Sequence, residues 1–192
     1  QKRFSMAQRS LDSSAPQPAP KSDHAVPRPS AELRVERWVG AARAEASLAR
    51  AAEGAPDPSH IFELDRRAFG ADRSELLAAL FEESCVTPAL STGADGRTRG
   101  YALARHGALA DYVGPLVAEE TETAAALLDD LLNRLDAGRV YVDLNTTYAK
   151  GARVLEARGF VKQRGLIRMR RGGGSSAGTS DSVFAIAGPE VG

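Results

Sequence analysis

Three stretches decide the fold: Val140-Tyr141-Val142-Asp143-Leu144, Val154-Leu155-Glu156-Ala157-Arg158-Gly159-Phe160 and Gly165-Leu166-Ile167-Arg168-Met169. The first alternates apolar residues with others and reads as a strand. The second is a short helix halted by Gly159, and the third is another strand. Upstream, Glu119 to Ala137 carries Ala124, Leu127, Leu128, Leu131, Leu132 and Leu135 on one helical face, with Gly138 expected to stop it. A strand, a helix and a strand in succession predict a parallel crossover.

Working back towards the start, Ala110 to Val117, Gly100 to Arg105 and Cys85 to Leu90 read as an antiparallel meander turning at His106-Gly107 and at residues 92–97. Two helices come before it. One runs from Ile61 to Phe69 and ends at Gly70; the other carries Leu76, Leu77, Leu80 and Phe81 behind an Asp72/Glu75 cap. Further back, Glu32 to Trp38 alternates as a first strand and Ala41 to Glu53 reads as an alanine-rich helix, stopped by residues 54–58. The fold class is α/β of the α+β kind, a mixed sheet flanked by helices. A single domain is expected over residues 31–192, with residues 1–30 as an extended or disordered tail carrying Pro16, Pro18, Pro20, Pro27 and Pro29. Should that tail be ordered, a protein partner is expected to hold it. Its Ser-rich, acid-poor character also matches a processed organellar transit peptide, beside the readings of a linker or an added extension ahead of Met6.

Composition excludes several classes. Lys+Arg and Asp+Glu both total 25, so no global charge points to nucleic acid. The balance is nonetheless segregated: residues 119–138 hold six acids and one base, and residues 139–192 nine bases and four acids. Cys85 is the one cysteine, which excludes an internal disulfide and a multi-cysteine zinc site. Three scattered histidines form no metal motif, and no metal is expected. With no apolar run near the roughly 20 residues of a membrane span, a soluble intracellular protein is expected. Arg164, Arg168, Arg170 and Arg171 lack interleaved aromatics, so a solvated face is the expectation rather than an RNA surface.

The element order resembles one branch of the GNAT acetyltransferase superfamily when taken with residues 64–73, Val113-Gly114-Pro115-Leu116-Val117-Ala118, Leu155 to Phe160, Arg168-Met169 and the terminal residues 187–192. That branch often forms the C-terminal domain of a two-domain acetyltransferase. The likeness is strongest over residues 60–192. It implies a sheet splayed between its central strands, with acetyl-CoA entering the gap and a small amine approaching from the other side. It places the cofactor at Leu116, Val117, Ala118, Thr121 and Thr123, where backbone N–H groups at a helix start hold a pyrophosphate.

The chain departs from that pattern. The turn after Val117 has no glycine and carries Glu119, Glu120 and Glu122, which read as helix-start acids. Leu155 stands where the family places a tyrosine acid, leaving Tyr148, which reads as packing or a cap, as the candidate substitute donor. Asp143, Asp111 and Glu119 are the candidate bases, an exposed or salt-bridged carboxylate being the other reading of Asp143, and Cys85 reads as a structural thiol because no histidine neighbours it in sequence. Two functions follow: acetyl transfer from acetyl-CoA to an amine, or a catalytically degenerate GNAT-fold domain that packs within a larger assembly.

Overall fold

The computed structural model describes residues 30–43, 57–136, 138–148, 150–170 and 180–188. The expected tail, apart from Ser30, and most of the helix expected over Ala41 to Glu53 lie outside them. Ala41 itself closes the first strand, β1 (Ser30–Ala41). Next come α1 (Ser59–Phe69), α2 (Ser74–Glu82), β2 (Ala89–Thr92), β3 (Thr98–Arg105) and β4 (Asp111–Ala118). The crossover is α3 (Thr121–Arg134), leading to β5 (Arg139–Asn145). Then follow α4 (Gly151–Glu156), β6 (Val161–Arg170) and β7 (Val183–Ala185).

One sheet contains these seven strands, in the order β2-β3-β4-β7-β5-β1-β6. Every pairing is antiparallel except β4 with β5. Helices cover both faces, as the period of two in each strand demands. On β3, Ala102 and Ala104 turn towards a core built with Leu127, Leu128, Leu131 and Leu132 of α3. The alternate residues Tyr101 and Leu103 turn towards Ile61, Leu64 and Ala68 of α1 and Leu77 and Leu80 of α2. No helix among the described residues is long and apolar enough to cross a membrane.

Local chemistry explains most element ends. Gly70 adopts φ 71°, and its N–H donates to the Arg66 carbonyl at 2.9 Å, closing α1 with Arg66 and Arg67 in its last turn. Gly159 at φ 79° does the same after α4, and the Phe160 N–H donates to Leu155 O at 3.1 Å. The Phe160 ring then lies over Gly40 of β1, where a Cβ would sit 2.6 Å from ring carbons. That contact is the physical content of the Gly-Phe pair.

Two expected boundaries are corrected. Helix α3 does not run to Gly138. It ends at Arg134, because Leu135 turns extended and buries its side chain in the core. Cys85 does not open a strand: β2 begins at Ala89, and Ser84 makes only an isolated bridge to Arg105.

Candidate functional site

Strands β4 and β5 run parallel for three rungs, Asp111 to Val113 against Val140 to Val142, and then separate. The parting is filled by β7. Ala185 pairs with Leu116 and with Leu144, and Val183 pairs with Val117. The Ile186 N–H donates to Asp143 O at 3.1 Å, and the Asn145 amide donates to Val183 O at 3.0 Å. All five residues from Val183 to Ala187 are buried. Gly114 permits the approach, since a Cβ there would lie 2.1 Å from Ile186 O. Tyr148 packs edge-on against Phe184 with centroids 5.1 Å apart. Burial raises its phenol above the usual 10, against a hydrogen bond with Thr121, so the phenol is protonated at neutral pH.

At the start of α3 no side chain caps the helix. Glu119, expected as a helix-start acid, is held elsewhere: Arg99 Nη1 donates to its Oε2 at 3.0 Å and Arg67 Nη2 to its Oε1 at 3.5 Å. Glu120 and Glu122 face solvent, while Leu116, Val117 and Ala118 are fully buried.

Asp143 lies directly across the ladder from Arg37. Arg37 donates from Nε to Oδ1 at 2.8 Å and from Nη2 to Oδ2 at 2.7 Å, and both residues are buried. The hydrogen bond to Asp143 raises the pKa of Arg37, against burial, and the guanidinium sits 5.1 Å from the ring centroids of both Tyr112 and Tyr141. A second buried acid, Asp65 of α1, accepts from the Tyr101 hydroxyl and from Arg73 Nε at 3.1 Å. Burial raises the Asp65 carboxyl above its usual value, opposed by Arg73 and then Tyr101. Sequence spacing did not reveal this network, although Asp65 and Arg73 bracket the 64–73 motif. A groove of about 360 Å³ opens between α1 and the β2–β3 hairpin, lined by His60, Glu63, Leu64, Arg67, Arg97 and Thr98 among others.

Residues 61–185 match the family model described as an acetyltransferase (GNAT) domain. The chain belongs to the GNAT acetyltransferase family. Its fold is similar to that of a Pyrococcus horikoshii protein described as an acetyltransferase, at 21% identity and TM-score 0.65, over 85% of this chain and 53% of that one. It is also similar to a GCN5-related N-acetyltransferase of Sphaerobacter thermophilus, at 17% identity and TM-score 0.52, over 78% and 56% of the two chains. A GNAT-family protein of Novosphingobium aromaticivorans follows at 14% identity and TM-score 0.50, over 80% and 69%. This GNAT chain spans about half the length of the first two. No curated protein matches it.

The splayed centre that GNAT membership implies is present, and the chain's own backbone stands in it. Of the candidate residues, Leu116, Val117, Thr121 and Tyr148 meet around β7. Ala118 ends β4 beside them, and Thr123 packs over Gly100 on the α3 side, where a Gly100 Cβ would lie 2.9 Å from its Cγ2. Asp143 borders β7 by its backbone, but its carboxylate is committed to Arg37. Asp111 lies at the other end of β4, against His106. Leu155, at the place of the tyrosine acid, is buried in the core. With the β4 edge at Leu116 and Val117 paired to β7 and no glycine turn before α3, the residues as arranged do not fit acetyl-CoA.

Proposed function

We propose that the acetyltransferase-type function of this GNAT domain is transfer of an acetyl group from acetyl-CoA to a small amine, exercised only in a form in which β7 has left the parting. The observation that supports this reading is the parting itself: a parallel β4–β5 pair that separates after three rungs and leads, through Ala118, into the start of α3. The cost of opening is set by burial. Val183, Phe184 and Ile186 each lose roughly 1.5–3 kcal/mol on exposure, together on the order of 5–9 kcal/mol as an upper estimate. Each 1.4 kcal/mol is tenfold, so even about 5 kcal/mol weakens apparent affinity more than about a thousandfold. The closed form is therefore expected to show no measurable acetyl-CoA binding.

A second reading starts from the same buried strand: a catalytically degenerate domain in which β7 serves permanently as a core strand. Calorimetry separates the two. Acetyl-CoA is titrated into the intact chain and into a chain ended at Arg170, whose cooperative unfolding is checked first. Heat with the shortened chain alone supports the first reading. Absence of heat with a folded shortened chain sinks it and leaves the second.

A further inference from the structure

The loop joining α2 to β2 and the hairpin joining β3 to β4 bring together three donors from two separate stretches of sequence. One ligand atom from each of Cys85, His106 and Asp111 lies within 4.8 Å of the other two. The arrangement is built by the backbone. The Cys85 N–H donates to Ala104 O at 2.9 Å, which fixes the thiol beside the hairpin. Gly107 lets the hairpin close, since a Cβ there would lie 2.6 Å from both Ala110 O and the Tyr112 ring. His106 Nδ1 and Asp111 Oδ1 then stand 2.8 Å apart.

From this geometry we infer that Cys85, His106 and Asp111 form a site for a divalent transition-metal ion of the zinc type. Sulfur, imidazole and carboxylate donors from three positions, with a fourth place left to water, suit such an ion. A thiolate and a carboxylate balance its two charges, and the thiol proton leaves to solvent on binding. Metal bonds of about 2.0–2.3 Å hold donors roughly 3.5 Å apart, so donors up to 4.8 Å apart must close by about 1 Å, while His106 Nδ1 and Asp111 Oδ1 must part by somewhat less. The exposed His106 ring has room for that movement. The site lies outside the parting: Asp111 is on the paired rungs before β4 and β5 separate, and Ala118, where β4 leads into α3, is roughly 23 Å away at 3.3 Å per residue.

The test uses the intact chain and the metal alone. Zn²⁺ calorimetry is expected to give one ion per chain, and Co²⁺ loading a near-ultraviolet thiolate-to-cobalt band. Cys85→Ser, close in size, and His106→Ala, on the surface, are each expected to weaken Zn²⁺ binding by roughly tenfold or more, because even outer-shell partners carry 10- to 100-fold effects. His60→Ala is expected to change nothing. No stoichiometric uptake at micromolar Zn²⁺, a cobalt spectrum without the thiolate band, or unchanged affinity in both Cys85→Ser and His106→Ala overturns the inference.

Discussion

A single methyl group added at Gly114 tests the seat of β7. The new Cβ would lie 2.1 Å from Ile186 O and 3.0 Å from Ile186 C, both backbone atoms that cannot rotate aside. Ordinary van der Waals contact begins near 3.4 Å, so the β7 backbone must retreat by about 1 Å or more. The Ile186–Asp143 hydrogen bond, at 3.1 Å, is the nearest to be lost. Partial retreat resembles overpacking, at about 1–3 kcal/mol. Full release is limited by the roughly 5–9 kcal/mol of burial at Val183, Phe184 and Ile186. Gly114→Ala should therefore lower stability by about 1–3 kcal/mol and raise amide exchange selectively over residues 183–187. Urea denaturation and hydrogen exchange read the two effects. Unchanged stability together with unchanged exchange at Val183 to Ala187 would refute the account of the parting.

Replacing either Arg37 or Asp143 alone, as Arg37→Met or Asp143→Leu, is expected to cost about 3–5 kcal/mol, because the survivor is a buried unpaired charge; the double change should fall near the parent, and additive losses in denaturant would contradict this. Burial raises Asp65 above its ordinary 3.8, so the folded carboxyl holds its proton more readily than the unfolded one, and its contribution to stability, fully present below about pH 3.8, is lost as pH rises through the raised value. Asp65→Asn should remove that downward slope from denaturation midpoints taken between about pH 4 and 7, and a persisting slope would count against it. Glu119→Gln disturbs only exposed pairs with Arg99 and Arg67 and should change stability by less than about 1 kcal/mol. In a chain lacking β7, removing the Glu119 charge should strengthen acetyl-CoA binding at low salt but not at high salt, and equal affinities at low salt would sink the electrostatic reasoning.

The element order was legible because strand and helix periods dominate this chain: Val140, Val142 and Leu144 face one core, and Leu127, Leu128, Leu131 and Leu132 complete it. What was not legible depends on register between distant segments. Cys85 reads as a structural thiol until the hairpin brings His106 and Asp111 beside it, and Asp143 stays open between a base and a salt-bridged carboxylate until Arg37, 106 residues away, pairs with it. Glu119 reads as a helix-start acid, yet its partners come from α1 and β3. Gly138 reads as a stop, yet a Cβ there would meet nothing closer than Asp136 O at 3.8 Å, and the burial of Leu135 ends the helix instead.

The place of β7 did carry a signal. Val183-Phe184-Ala185-Ile186-Ala187 is apolar at every position, whereas a strand with one solvated face alternates. Val183 and Ile186 turn to the core beneath α1, and Phe184 and Ala185 to the core beneath α3. A strand apolar on both faces belongs in the interior of a sheet, and the interior place open to a late strand is the one where β4 and β5 stop pairing. Solvation of five buried residues therefore opposes any ligand at that place, whether or not the domain retains chemistry. The first quantity to measure is accordingly the opening free energy of β7, since it sets the ceiling on cofactor affinity whatever side chains surround the cleft.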